Sequence, residues 1–208
     1  MATIVFVPGG WIAPEFYKPY LDADSDAVAK VIRPLVEDEG REFLLVMHSY
    51  AGMAGAAAAT GGLATIVRVK QGKTCGVVGM VFIAAFLVPE GLSCATLQGG
   101  NLPAWTLLDR LLQDLPANVK PHSTLAFNSP QPTPAWAEEG YNGRLGFIVT
   151  LQDKAVSKEA QHLMISATQK DWIVKEMDCS HCAPFLNRID DCIGLVQGLL
   201  REFQSKTT

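Results

Sequence analysis

Five short runs of almost continuously apolar residues recur along the chain, and helical patterns lie between most of them. The runs occupy residues 3–7, 43–47, 77–85, 145–151 and 172–177. Such runs are typical of parallel strands, because helices cover both faces of a parallel sheet. Strands that alternate with helices are joined by right-handed crossovers. The sequence therefore predicts an α/β fold, with a mostly parallel sheet of about five strands flanked by helices.

The helical pattern after the first run also indicates how that helix begins and ends. Residues 25–40 carry apolar side chains at helical spacing. Ser25 suits the N-cap, because its hydroxyl can accept a hydrogen bond from the first turn, and Gly40 suits the C-terminal stop. Pro34 lies within the pattern and predicts a kink or a late start.

Length and composition restrict the class of protein. The chain has 208 residues, of which 49% are hydrophobic and 18% charged, as expected for one globular domain with a sizeable core. A net charge of −4 without clusters of Lys or Arg makes nucleic acid and anionic membranes poor partners. No run is long enough to cross a membrane, and no secretory signal is recognisable. Five scattered cysteines favour reduced thiols, so we expect a cytoplasmic protein.

One long segment interrupts the alternation of strands and helices. Residues 88–143 are rich in Pro, Gly and Asn, with a single amphipathic stretch, and they lie between the third and fourth predicted strands. An insertion of this kind is typical of a lid over a binding site. We therefore expect a single domain over residues 1–208, with a lid insertion at about 88–143.

The stretch "VMHSYAG", residues 46–52, places a serine where a predicted strand turns into an alanine-rich helix. A serine on such a turn is typical of a nucleophile elbow, whose usual pattern is G-x-S-x-G. Ala51 provides a small residue after Ser49, but Met47 stands where the pattern has a small residue before it. Taken alone, the stretch fits an ordinary helix cap better than an elbow.

Two further residues strengthen the catalytic interpretation of Ser49. A serine hydroxyl needs a base, and that base needs an acid that orients it. Asp153 follows the fourth predicted strand, and His181 follows the fifth. The order serine, acid, histidine is the order that this class of sheet requires, with each residue just beyond the carboxyl end of a strand. We therefore expect Ser49, Asp153 and His181 to form a catalytic triad.

The stretch "VPGGW" after the first strand predicts part of an oxyanion hole. Acyl transfer passes through a tetrahedral intermediate whose negative oxygen needs fixed N–H donors. The backbone N–H groups of Gly10 and Tyr50, the latter directly after Ser49, are the expected donors. Trp11 and Phe86 are the expected substrate-binding residues of an apolar pocket.

With these motifs the chain resembles the α/β-hydrolase superfamily. It is most similar to the branch of plant methyl-ester esterases and hydroxynitrile lyases, with their fungal and bacterial relatives. The resemblance rests on "VFVPGGW", "VMHSYAG", "GVVGMVFIAAFLVPEG", "LQDKAVSKEAQ" and "CSHCAPFL", in this order. It implies that Ser49 is the nucleophile, His181 the general base and Asp153 its orienting acid. It also implies that Gly10 and Tyr50 form the oxyanion hole.

The chain departs from the family pattern in two respects. A whole edge strand is missing after the first strand, and the lid is shorter. Residues 3–7 would then form an apolar sheet edge, which invites pairing with another chain. We therefore expect a homodimer, or else a monomer that is prone to aggregate. In addition, the lyases of the branch carry a lysine directly after the catalytic histidine, whereas this chain has Cys182. That replacement disfavours cyanohydrin cleavage and favours ester hydrolysis.

The same residues also allow other interpretations. Cys179, His181 and Cys182 lack the paired spacing of a zinc site, so we expect no metal. A reaction of the serine–histidine type needs no cofactor, so we expect none. His48 is expected to pack or to form a hydrogen bond. The sequence thus predicts a serine hydrolase that acts on a small or medium apolar ester. The alternatives are a non-hydrolytic lyase, cyclase or isomerase acting on a natural product in the same pocket, or a non-catalytic member that binds a ligand or partner.

Overall fold

A computed structural model of the chain describes residues 3–8, 21–100 and 124–206. Five strands form one sheet in the order β1-β2-β3-β4-β5, and every neighbouring pair is parallel. The strands are β1 Thr3–Val7, β2 Phe43–His48, β3 Val77–Ile83, β4 Leu145–Thr150 and β5 Ile173–Met177. The predicted α/β fold with a parallel sheet of about five strands is confirmed.

Helices connect successive strands and cover both faces of the sheet. They are α1 Leu21–Glu37, α2 Ala51–Ala58, α3 Thr65–Lys70, α4 Cys94–Leu97, α5 Thr124–Asn128, α6 Lys158–Ala167, α7 Ala183–Leu186 and α8 Ile189–Ser205. Side chains of β2 alternate between two cores, because successive residues of a strand point to opposite faces. Leu45 and Met47 join the larger core with α1 and α2, whereas Leu44 and Val46 join the core beneath α8.

The first helix is already formed at Leu21, four residues before the N-cap that the sequence pattern predicted. Ser25 therefore lies inside the helix, and its hydroxyl donates to the Leu21 carbonyl oxygen at 2.9 Å. The late start was also wrong, because Pro34 is accommodated near the end of the helix at Glu37. Gly40 follows with φ +62°. This left-handed glycine is typical of a helix C-terminal stop, as predicted.

The insertion between β3 and β4 is described only at its two ends. Residues 88–100 contain α4, and residues 124–143 contain α5 and two 3-10 turns, Ala135–Ala137 and Glu139–Tyr141. Residues 101–123 lie outside the described part, so a lid over 88–143 within a single domain stays a prediction. Within the described ranges, no helix combines the length and the apolar character that crossing a membrane demands.

The first strand forms one edge of the sheet among the described residues. Ile4 and Phe6 are 48% and 44% exposed on the same face of this strand. Residues 3–7 include no charged side chain, whereas β5 at the opposite edge carries Lys175 and Glu176. Charged residues are a common protection of sheet edges against pairing. The β1 edge lacks that protection, and the dimer stays a prediction.

Helix α2 packs against β2 through a glycine that makes room for a methionine. A Cβ atom on Gly55 would lie 2.5 Å from the Met47 Sδ atom and 2.9 Å from its Cγ atom. Both residues are buried. Met47 stands where the elbow pattern has a small residue before the serine. Its longer side chain is accommodated because Gly55, one turn after Ala51 in the facing helix, has no side chain.

The exposed β1 edge leads to a prediction about oligomeric state. We expect the purified chain to have twice the 22.4 kDa mass of one copy, and Ile4→Lys to shift it towards the monomer, because a charge on an edge strand opposes pairing. Light scattering coupled to gel filtration measures both masses. Val174→Lys, on the opposite edge strand, is the matched control and should leave the mass unchanged. A monomeric wild-type chain at high concentration would contradict the dimer.

The contact between Met47 and Gly55 leads to a prediction about stability. Gly55→Ala inserts a methyl group into occupied space, whereas in a Met47→Ala background the same change fills a gap and improves helix propensity. We expect a coupling free energy of about 1–3 kcal/mol between the two sites, measured by urea unfolding of the double-mutant cycle. Additive effects of the two substitutions would show that the residues do not share this space.

Candidate active site

Ser49 lies on a tight turn between β2 and α2, where its backbone adopts an unusual conformation. Its φ angle is +56°, in the left-handed region that residues other than glycine rarely occupy. Such a conformation costs about 1–3 kcal/mol and persists only where the surroundings enforce it. The Ser49 N–H donates to the Ile83 carbonyl oxygen at 3.3 Å, and the Phe86 N–H donates to the Ser49 carbonyl oxygen at 3.0 Å. These bonds to the last residue of β3 and to the segment after it hold the turn in place.

The geometry around Ser49 distinguishes an elbow from an ordinary helix cap. The N-cap position of α2 is Tyr50, and no side chain caps this helix. Gly52 lies so close to the segment after β3 that a Cβ atom there would collide with the Phe86 carbonyl oxygen. The elbow pattern predicts a small residue at Ala51 but does not predict the close approach at Gly52. Its signal was the second small residue after Tyr50 in "HSYAG".

The carboxylate of Asp153 is buried and accepts four hydrogen bonds. Its Oδ1 atom accepts from the N–H groups of Ala155 and Val156, both at 2.8 Å. Its Oδ2 atom accepts from the Thr150 hydroxyl at 2.7 Å and from the His181 Nδ1 atom at 2.6 Å. These donors fix the carboxylate in one orientation and stabilise its ionised form.

The pKa of Asp153 reflects a competition between burial and these donors. Burial by itself would raise the pKa of this carboxyl group. The hydrogen bond and the charge of His181 act in the opposite direction, with smaller contributions from the Val156 N–H and the Thr150 hydroxyl. The net result is a pKa of Asp153 below its ordinary value, so the group is ionised at neutral pH.

The structure brings together two of the three residues expected to form a triad. The Asp153 side chain is fully buried, whereas that of His181 is 17% exposed, so the imidazole retains access to the surface. Ser49 is partly buried on the neighbouring turn. Among the hydrogen bonds of the described ranges, none joins the Ser49 hydroxyl to His181. Such bonds are often long in the absence of substrate and tighten in the reacting complex.

His48 connects the Ser49 turn to the His181 loop. Its Nε2 atom lies 3.1 Å from the His181 carbonyl oxygen, and because a carbonyl can only accept, Nε2 is the donor. The His48 ring lies 4.6 Å from the His181 ring and 4.7 Å from the Phe185 ring, measured between centroids. His48 is only 7% exposed. It therefore both packs and forms a hydrogen bond, in line with its predicted role.

The same surroundings keep His48 neutral. Burial above all, together with the charge of His181, lowers the pKa of His48 to about 3. The hydrogen bond to His181 and the charge of Asp153 oppose this shift but have smaller effects. A neutral His48 adds no positive charge beside Asp153.

Tyr50 and Phe86 lie in an apolar region next to the Ser49 turn. The Tyr50 hydroxyl donates to the Asp24 Oδ2 atom at 2.9 Å, and its ring lies 5.5 Å from the Phe127 ring. The Phe86 ring lies edge-on to Phe127 with centroids 6.3 Å apart. Burial raises the pKa of Asp24, although the hydrogen bond from Tyr50 lowers it. The contacts of Asp24 and Phe127 were not foreseen, because no local pattern links residues so distant in the chain.

The remaining expected site residues have different outcomes. Gly10 and Trp11 lie outside the described residues, so their roles in the oxyanion hole and the substrate pocket stay predictions. Cys182, directly after His181, is an exposed free thiol. Within residues 3–8, 21–100 and 124–206, no group of three His, Cys, Asp or Glu side chains is arranged to hold a metal ion.

The buried histidine leads to a prediction about stability and pH. Because the pKa of His48 is lower in the folded than in the unfolded chain, its contribution to stability is complete above about pH 6.5 and is lost as the pH falls towards 3. We expect this loss to be roughly 1.4 kcal/mol per pH unit and to disappear in His48→Gln. Urea unfolding between pH 4.5 and 7 in the two proteins measures the difference. His162→Gln, at an exposed histidine, is the control. An equal slope in wild type and His48→Gln would contradict the prediction.

Comparisons with known proteins identify the family. The model of the alpha/beta hydrolase family matches residues 14–194. An extracellular alpha/beta-hydrolase from a Paenibacillus species has a similar structure, with a TM-score of 0.61, 13% identity and coverage of 95% of this chain and 98% of that chain. A methylesterase from Arabidopsis has a TM-score of 0.54 and 15% identity, with coverage of 96% of this chain and 99% of that chain. A pyrethroid hydrolase from Sphingobium faniae JZ-2 has a TM-score of 0.55 and 18% identity, with coverage of 93% of this chain and 96% of that chain.

No curated protein matches the chain. The identities to the solved structures are low enough that these likenesses show a shared fold alone, whereas the family match spans most of the sequence. The parallel sheet, the left-handed serine between β2 and α2, and the match over residues 14–194 lead to one conclusion. The chain belongs to the alpha/beta hydrolase family, and a plant methylesterase is among the proteins that share its fold.

Proposed function

We propose that the protein is a serine hydrolase that cleaves a small or medium-sized apolar ester. The observation that carries the proposal is the 2.6 Å contact between the His181 Nδ1 atom and the buried Asp153 carboxylate, beside a serine in the left-handed conformation of an elbow. Hydrolases and esterases among the similar structures support the reaction class. The buried aromatic rings of Tyr50, Phe86 and Phe127 support an apolar substrate.

The first half of the proposed reaction forms an acyl-enzyme. The Ser49 hydroxyl oxygen attacks the ester carbonyl carbon while the His181 Nε2 atom takes the hydroxyl proton. Asp153 holds the imidazole through Nδ1 and stabilises the resulting positive charge. The carbonyl oxygen becomes negative, and the N–H groups of Gly10 and Tyr50 are the proposed donors to it. Collapse of the intermediate breaks the ester bond, and His181 gives its proton to the departing alcohol.

The second half regenerates the serine. A water molecule gives a proton to the His181 Nε2 atom and attacks the acyl carbon, and a second tetrahedral intermediate forms. Its collapse releases the carboxylic acid and returns the proton to the Ser49 oxygen. The proposed sequence of steps balances without a redox reaction or a cofactor. Cys182 supplies no cation beside His181, which favours hydrolysis over release of cyanide.

We also propose that the protein acts in the cytoplasm. All five cysteines are free thiols, and four of them are buried. Free thiols persist in a reducing compartment. The proposed homodimer is compatible with that location.

A covalent probe tests the proposed function. We expect an alkyl fluorophosphonate to add to Ser49 and Ser49→Ala to lose both the adduct and activity on aryl esters, the latter by at least about 10³-fold. Intact-protein mass spectrometry and peptide mapping measure the adduct. Ser205→Ala, near the C-terminus, is the control and should keep both.

The outcomes of this experiment separate the rival functions. Adduct formation that survives in Ser49→Ala, or no adduct on folded wild-type protein, would overturn the serine mechanism. If activity on another substrate then depends on His181 but not on Ser49, a lyase, cyclase or isomerase is the correct class. If no activity depends on Ser49 or on His181, a non-catalytic protein that binds a ligand or a partner is the correct class.

A further inference from the structure

A fully buried glutamine holds the loop that carries Asp153. Gln161 lies in the first turn of α6 and is 0% exposed. Its Oε1 atom accepts from the Thr150 N–H at 3.1 Å, and its Nε2 atom donates to the Val156 carbonyl oxygen at 2.7 Å. Thr150 ends β4, and Val156 lies three residues after Asp153. One side chain therefore ties together both ends of the loop 150–156.

The Gln161 amide is also linked to the Asp153 carboxylate by hydrogen bonds through the Thr150 hydroxyl. The Gln161 Nε2 atom donates to the Thr150 hydroxyl oxygen at 3.1 Å, and that hydroxyl is 2.7 Å from the Asp153 Oδ2 atom. An amide nitrogen can only donate, and an ionised carboxylate can only accept. The Thr150 hydroxyl must therefore accept from Gln161 and donate to Asp153. The direction of this chain of hydrogen bonds is fixed by its two ends.

This arrangement differs from that of another buried glutamine in the chain. Gln131 is 2% exposed, its Nε2 atom donates to the Met53 carbonyl oxygen, and its Oε1 atom has no partner within the described residues. A buried amide is costly unless it is hydrogen-bonded. Gln161 uses both amide atoms on one loop, whereas Gln131 uses one. The contrast shows that burial alone does not produce the contacts of Gln161.

We propose that Gln161 and Thr150 are positioning residues of the active site: Gln161 clamps the Asp153 loop, and the Thr150 hydroxyl orients the Asp153 carboxylate towards His181. The inference rests on the proposed function only for its effect on the reaction rate. The effect of Gln161 and Thr150 on the hydrogen bond between Asp153 and His181 does not depend on that function.

The groups around Asp153 determine how the loss of Thr150 should appear. The hydrogen bond from Thr150 contributes to lowering the pKa of Asp153, and His181 faces the carboxylate directly. Without the Thr150 donor, the pKa of Asp153 should rise towards its ordinary value. The pH below which activity disappears should therefore rise. Other titratable groups that interact with the charge of Asp153 are His48, Cys179 and Cys182.

Two substitutions at Thr150 test the hydroxyl. Thr150→Val removes the hydroxyl at similar volume and should lower kcat about 10-fold and move the acid limb of the pH profile to higher pH. Thr150→Ser keeps the hydroxyl and should restore both. Equal loss of activity in the two variants, with an unmoved acid limb in Thr150→Val, would overturn the role of Thr150.

A matched pair of glutamine substitutions tests the clamp. Gln161→Met removes both sets of hydrogen bonds at similar length and should lower kcat about 10-fold to 100-fold with little change in KM, because misplaced catalytic groups slow the chemical step. Gln131→Met removes a buried glutamine that forms no hydrogen bond to the loop and should leave kcat unchanged. Equal effects of the two substitutions would overturn the clamp. If Gln161→Met does not fold, the Thr150 pair decides the proposal.

Proton NMR provides a readout that does not depend on activity. The proton between the His181 Nδ1 and Asp153 Oδ2 atoms should give a far-downfield resonance in the wild-type protein and in Thr150→Ser and Gln131→Met. It should shift or broaden in Thr150→Val and Gln161→Met. If this pattern holds but the wild-type protein forms no adduct with the fluorophosphonate, the serine mechanism fails and the positioning role stands. An unchanged resonance in all variants overturns the positioning role.

Discussion

The ladder of hydrogen bonds between β4 and β5 continues beyond both strands, and the candidate site depends on it. Thr150 pairs with Met177 at the end of the parallel ladder. The Leu151 N–H then donates to the Met177 carbonyl oxygen at 2.9 Å, and the Gln152 N–H donates to the Cys179 carbonyl oxygen at 3.0 Å. Two loops that come from different parts of the chain are thereby held side by side. The hydrogen bond between the side chains that follow, Asp153 and His181, continues the same alignment.

Close packing at the Ser49 turn shows how an atypical sequence can retain the backbone of an elbow. The turn combines a left-handed serine with a methionine where the family pattern has a small residue. Gly55 provides the space for Met47, and Gly52 allows the turn to approach the segment after β3. Where the sequence departs from G-x-S-x-G, the small residue therefore lies in helix α2, at Gly55, and not in strand β2, where Met47 stands.

The fold could be predicted, and the candidate site residues could be proposed, because their signals are local. Apolar runs identified the strands, and the order of Ser49, Asp153 and His181 at strand ends identified the candidate site. The predicted start of α1 at Ser25 was wrong. Ser25 has the side chain of an N-cap, but its hydroxyl donates a hydrogen bond to the carbonyl oxygen of Leu21, one turn earlier in the helix. The links made by His48 and Gln161 could not be predicted, because each depends on which distant backbone atoms reach a buried side chain.

The sequence by itself determined the class of fold, the order of its strands along the chain and the residue types that could perform acyl transfer. These follow from hydrophobic periodicity and from turn chemistry, which act over a few residues. Only the tertiary structure decided that Asp153 accepts four hydrogen bonds, that His48 is buried and neutral, and that Gln161 closes the loop around the carboxylate. These features depend on contacts between separate segments, which form only when the chain packs.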